Sequence, residues 1–227
     1  MKILLNAYNS NIRNTKIANQ FHFINTISST MTILNEKFII KNNNISKKIL
    51  NNQLLFYYMR KTQIAVIGYN EDWCTDASKN IAYEVGKEIA ISGSVLICGG
   101  LGGVMEAACK GAKENEGLTI GILPQGDFES ANKFCDVVIP TGIGFSRNFI
   151  VATSVDGIIV VGGGVGTLIE ISVGYMLKKM MIAMSGSGGI ADEYGGKYID
   201  ERKRIKILKR KNPKKAIQDI INHNQLR

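Results

Sequence analysis

The stretch Gly157-Ile158-Ile159-Val160-Val161-Gly162-Gly163-Gly164-Val165-Gly166-Thr167-Leu168-Ile169-Glu170 decides the fold. Four β-branched apolar residues in a row, with no polar alternation, read as a strand covered on both faces. A glycine block follows at 162–166, and the spacing after it predicts a helix over Thr167–Lys178. Strand, glycine turn and helix in that order make one parallel βα repeat. Working outward, the same order recurs. Gln63–Ile67 is a short strand closed by Gly68, and Ala77–Ile91 carries Ile81, Val85, Ile89 and Ala90 at helical spacing. Ser94–Cys98 reads as the second strand, Gly99-Gly100-Leu101-Gly102-Gly103 as its turn, and Val104–Lys113 as an Ala-rich helix. Leu118–Leu123 and Val137–Ile139 are strands stopped by Pro124 and Pro140. Thr141-Gly142-Ile143-Gly144 then leads into a helix at Arg147–Ser154. Met180–Met184 is expected to close the sheet, and Asn212-Pro213 to cap a last helix running to about Asn222. The prediction is one Rossmann-like α/β domain, a doubly wound parallel sheet, over residues 59–227.

The 227-residue chain carries a formal charge of +9, which invites a nucleic-acid reading. Its distribution argues otherwise: the net charge is +6 over residues 1–58, −5 over 59–196 and +8 over 197–227. The glycine-rich middle is acidic, and the basic runs Arg202-Lys203-Arg204 and Lys209-Arg210-Lys211 lack the interleaved aromatics of a single-strand platform. They read as a solvated polar stretch. Residues 1–58 hold a single acid, Glu36, and no sustained period, so they are expected to be a poorly ordered extension. Met59 reads as the natural start, with a basic targeting peptide as the competing reading. No run of 18 apolar residues occurs, so no spanning helix is expected. Cys74, Cys98, Cys109 and Cys135 form no C-x-x-C pair, and His22 and His223 are remote from the glycine loops. No metal site is expected; Cys98 and Cys109 read as small core residues in a protein of the reducing cytoplasm.

Two glycine loops, 99–103 and 162–166, fall between the carboxyl end of a strand and the start of a helix. Glycine admits close backbone approach, and the helix start presents free N–H groups with a partial positive charge, so each loop is a potential anion cradle. The turn Gly68-Tyr69-Asn70-Glu71-Asp72 is not G-x-G-x-x-G, and no G-x-x-x-x-G-K-[ST] occurs. A conventional NAD dehydrogenase and a Walker-type NTPase are thereby disfavoured. Arg147 and Glu170 both fall in the first turn of the helix that follows a glycine turn. From spacing alone, Arg147 suits either an ion pair or a phosphate fork. Glu170 suits either the helix dipole or a ligand.

Gly99 through Ala108, and the stretch from Arg147 to Glu170, resemble the LONELY GUY family, long mislabelled as lysine decarboxylases. The second stretch is similar to that family's P-G-G-x-G-T-x-x-E motif, and the 23-residue separation of Arg147 from Glu170 agrees with the family's spacing. The resemblance covers nearly all of residues 62–222 and implies self-association. It also implies a phosphoribohydrolase that splits a nucleoside 5′-monophosphate into base and ribose 5-phosphate. On that reading Arg147 engages phosphate or ribose, and Glu170 stabilises an oxocarbenium-like transition state. Gly163, Gly164, Gly166 and Thr167 hold the phosphate, with Gly99, Gly100, Gly102 and Gly103 as the second cradle. Two departures, Gly162 in place of the motif's proline and Glu106 in place of a small glycine, look closer to a second branch that includes the molybdenum-cofactor carrier proteins. The segments Gly121-Ile122-Leu123-Pro124 and Ser187 through Asp192 are similar to that branch. The branch implies binding of a phosphorylated pterin, with no further cofactor required.

Overall fold

In the computed structural model the described residues are 60–225; the readings for residues 1–58, Met59 and His22 lie outside them. The chain runs β1 (Gln63–Gly68), α1 (Asp76–Ile91), β2 (Val95–Cys98), α2 (Val104–Lys113), β3 (Leu118–Leu123), β4 (Val137–Pro140), α3 (Arg147–Thr153) and β5 (Gly157–Val161). It continues through α4 (Val165–Met176), β6 (Met180–Met184), α5 (Gly189–Tyr194), β7 (Leu208–Arg210) and α6 (Pro213–Gln225). Short 3₁₀ turns at Glu71–Trp73 and Gly144–Ser146 precede α1 and α3.

Every strand pairing is parallel, in the order β4-β3-β2-β1-β5-β6-β7. The apolar runs read from the sequence explain this, because both faces of the sheet are covered. Ile64, Val66, Ile159 and Val161 join one core with residues of α1, α2 and α6. Ala65, Ile67, Ile158 and Val160 join the other with residues of α3, α4 and α5. After β1 the chain winds outward to β4, then returns to place β5 on the other side of β1. The crevice above β1 and β5 is therefore the topological switch point, where open α/β sheets bind ligands.

Three expectations need correction. Met180–Met184 does not close the sheet, because Leu208–Arg210 adds β7 outside it in register with Ile182–Met184. The basic run that read as solvated is thus partly an edge strand. Ile207 is buried before it, and Arg210 Nε donates to Asp219 Oδ2 of α6 at 2.7 Å. Charged residues on such an edge discourage pairing with another chain. Second, α4 runs two residues earlier than its period suggests. Gly164 is extended (φ −121°) and its carbonyl accepts the first helical bond from Leu168 N. Lys178, with φ 54°, ends the helix by turning into the left-handed region. Third, Glu170 consequently stands in the second turn and not the first, and it is 5% exposed. Stabilisation by the helix dipole no longer explains it. The cap read at Asn212 is present, its Oδ1 accepting from Lys215 N at 3.1 Å.

Candidate functional site

The carboxyl ends of β1 and β5, the loop after β2 and the start of α3 enclose a cleft of about 440 Å³. Arg147 and Glu170 face each other in its wall. Arg147 Nη1 donates to Asn148 Oδ1 at 2.6 Å and reaches Glu170 Oε1 at 3.5 Å. Arg147 is 8% exposed, and its Nε is buried with no hydrogen-bond partner. Burial pushes the Glu170 carboxyl up to about 8, against the opposing pull of the Arg147 cation. Burial likewise lowers the Arg147 value, with Glu170 and Cys98 acting the other way. A guanidinium keeps its charge regardless. The guanidinium rests on Gly99, where a Cβ would lie 2.4 Å from Nη2. A glycine is required there by close approach.

The two glycine loops turn out to be unlike. After β5, Gly163 (φ 100°) and the extended Gly164 lead into α4, and a Cβ at Gly164 would meet nothing within 4 Å. The amides of Val165, Gly166 and Thr167 lie in the first turn, which has no intrahelical acceptor. Neighbouring polar groups brace this loop. Gly162 N donates to Ser187 Oγ (2.8 Å), Asn148 Nδ2 to the Gly166 carbonyl (3.3 Å) and Thr167 Oγ1 to the Gly68 carbonyl (3.2 Å). The Thr167 hydroxyl therefore ties α4 to β1.

The loop after β2 contributes differently. Gly99 lines the cleft, but Gly100, Gly102 and Gly103 do not. The Gly100 carbonyl accepts from Asn132. The amide of Gly103, at the N-cap of α2, donates to Glu71 Oε2 at 2.9 Å. Lys79 and that amide hold the Glu71 carboxyl below the ordinary carboxylate range. A Cβ on Gly102 would lie 3.6 Å from the same carboxylate and 4.0 Å from Glu106 Oε2. The anion at this helix start is thus the chain's own.

Sequence reading missed several residues of the cleft. Trp73 and Phe145 line it while 78% and 84% exposed, and Tyr69 and Asn148 complete its wall. The signal available was position: Tyr69 and Trp73 fall on the loop after β1, and Phe145 and Asn148 flank Arg147. A second grouping was also invisible. Cys98 and Cys109 are buried as expected, yet the fold brings Cys135 to them, so that the three sulfurs lie within 4.8 Å of one another. Cys135 is held below the ordinary thiol range by hydrogen bonds from Cys109 and Cys98. Cys109 is raised by its contacts with Cys135 and Cys98 and by burial.

The chain is similar to several known proteins. An uncharacterized protein of Archaeoglobus fulgidus is 50% identical over 115 residues, covering 51% of this chain and 74% of the relative. The solved molybdenum cofactor binding protein of Rippkaea orientalis is 34% identical with a TM-score of 0.64, over 73% of this chain and 98% of that one. The molybdenum cofactor carrier protein of Chlamydomonas reinhardtii is 30% identical with a TM-score of 0.64, over 74% and 100% of the two chains. Residues 61–217, from just before β1 into α6, match the family described as SLOG cluster4. Since that match takes in the whole sheet and both walls of the cleft, the chain belongs to the SLOG cluster4 family.

Proposed function

We propose that the cleft above β1 and β5 binds a phosphorylated pterin, and that the protein serves as a carrier for the molybdenum cofactor. The observation that carries this reading is the buried Arg147 Nε without a partner, in the same cleft as the uncapped first turn of α4. A buried donor left unsatisfied costs about 1–3 kcal/mol, which a bound anion recovers. A phosphate gains from helix amides and a guanidinium together. Trp73 and Phe145 offer flat apolar surfaces for a ring system. The solved relatives named for the molybdenum cofactor are consistent with that ligand. Free thiols at Cys98, Cys109 and Cys135 accord with a reducing compartment such as the cytoplasm.

A phosphoribohydrolase is the second reading, favoured by the approach of Arg147 to Glu170. Stabilising a cationic sugar needs an anion beside it. A carboxyl raised to about 8 is mostly protonated at neutral pH, which weighs towards binding. The test is to purify the full chain, release its ligand by denaturation, and identify it by mass spectrometry and pterin fluorescence. In parallel the protein is incubated with AMP, GMP, CMP and UMP. The expected result is a phosphorylated pterin and no free base. Base and ribose 5-phosphate released by the wild type, and lost in Glu170→Ala, would instead establish the hydrolase.

Self-association belongs to the same proposal. Phe149 and Ile150 of α3, and Val165 at the start of α4, are exposed apolar side chains on neighbouring helices. Apolar surface of this kind marks contact with another protein.

A further inference from the structure

Under the Gly99–Gly103 loop, three thiols from separate elements converge. Cys98 ends β2, Cys109 lies within α2, and Cys135 comes two residues before β4. The Cys98 and Cys109 sulfurs are 3.4 Å apart, those of Cys109 and Cys135 are 4.0 Å apart, and all three fall within 4.8 Å of one another. A disulfide bond is about 2.0 Å long, so the three cysteines are free thiols here. Three sulfurs around one cation at about 2.3 Å each would stand about 4 Å apart, which is the spacing seen here.

The surroundings fit such a centre. Gly100 N donates to Cys98 Sγ at 3.3 Å, a contact that favours a thiolate. A Cβ at Gly121 would fall 2.7 Å from Cys135 Sγ, so glycine there makes room for the third sulfur. Cys98 and Cys109 are closed off from solvent, while Cys135 is only partly buried and leaves a way in. Among the described residues no carboxylate or imidazole joins the group. Zinc prefers four ligands in a tetrahedron. A set of three sulfurs suits a softer ion.

We propose that Cys98, Cys109 and Cys135 form a binding site for one soft, thiophilic cation of the Cu(I) class, coordinated by three sulfurs. Binding exchanges the protons of whichever thiols still carry them, released to water, for one cation, and no electron moves. The site adjoins the cleft through Gly99 but shares no residue with the proposed pterin site, so either can fail without the other.

The test uses full-length, reduced protein titrated anaerobically with Cu(I) against a chromophoric chelator. Alkylation and X-ray absorption are then measured on the loaded protein. One equivalent should bind through three sulfurs and protect the partly exposed Cys135, but not Cys74, from alkylation. Cys135→Ser, at the partly open position, should lower the affinity more than about 100-fold. The melting temperature of the metal-free variant should hold, and Cys74→Ser should bind as the wild type does. Unchanged affinity in Cys135→Ser, alkylation of Cys135 in the copper-loaded protein, or zinc binding as tight as copper would each overturn the assignment.

Discussion

Arg147 Nη1 stands 3.5 Å from Glu170 Oε1 inside a wall that excludes water from both side chains, while Arg147 Nε meets no acceptor. A pair with an idle donor and a long contact is shaped for a third group. Helix α3 begins at Arg147 and helix α4 carries Glu170, so packing between these two helices sets the separation.

Lysine at position 147 keeps the charge but loses the planar fork. Arg147→Lys is expected to weaken binding of a pterin phosphate by about 10- to 100-fold, the worth of one charge-assisted hydrogen bond at about 1.5–3 kcal/mol. Calorimetry should show this with the melting temperature nearly unchanged. A large loss of thermal stability with intact affinity would mean that the residue serves the fold alone.

The raised carboxyl of Glu170 gives a pH signature. Its folded value is about 8 against an ordinary 4.5, so between these limits the folded state holds more protons than the unfolded one. Stability from the neutral acid is full below about 4.5 and is lost as the pH rises through about 8. Glu170→Gln removes that titration. Melting curves from pH 4.5 to 8.5 should show the variant gaining steadily on the wild type, and parallel curves would contradict the shift.

Neighbouring glycines at 163 and 164 should behave in opposite ways. Alanine at Gly163 must adopt φ 100° and would place its Cβ 2.5 Å from Thr167 Oγ1. A cost on the order of 1–3 kcal/mol is expected from the strained backbone. Alanine at Gly164 keeps an accessible φ of −121° and meets nothing. Denaturant melts should therefore register Gly163→Ala and ignore Gly164→Ala, whereas ligand affinity should drop in Gly164→Ala because its methyl enters the cleft.

On the outer surface, Phe149→Glu places a charge on an exposed apolar position of α3. Light scattering should find a smaller particle than the wild type, with circular dichroism unchanged. Equal masses would clear this helix of any part in assembly.

The repeat of strand, glycine turn and helix was legible because a sheet buried on both faces leaves apolar runs that nothing else explains, as in Ile158–Val161 and Ile64–Ile67. The pairing of Arg147 with Glu170 was legible as a spacing and as a resemblance. What stayed hidden depends on distant contacts. Leu208–Arg210 looks like surface charge until β6 supplies its hydrogen bonds. The short α5 begins at Gly188 and Gly189, both with positive φ, and so has no side-chain cap to announce it. The meeting of Cys135 with Cys98 and Cys109 spans two strands and a helix. Glu71 gave no hint that it would occupy the amide of Gly103, 32 residues away.

That last contact closes a helix start. With Glu71 Oε2 already accepting from Gly103 N and Glu106 close by, the start of α2 is neutralised from within, whereas the start of α4 carries no side-chain cap. On the proposed function, a phosphate is expected at α4 and not at α2. Of the two glycine-led helix starts that the fold offers, the chain thus fills one with its own carboxylate and leaves the other uncapped.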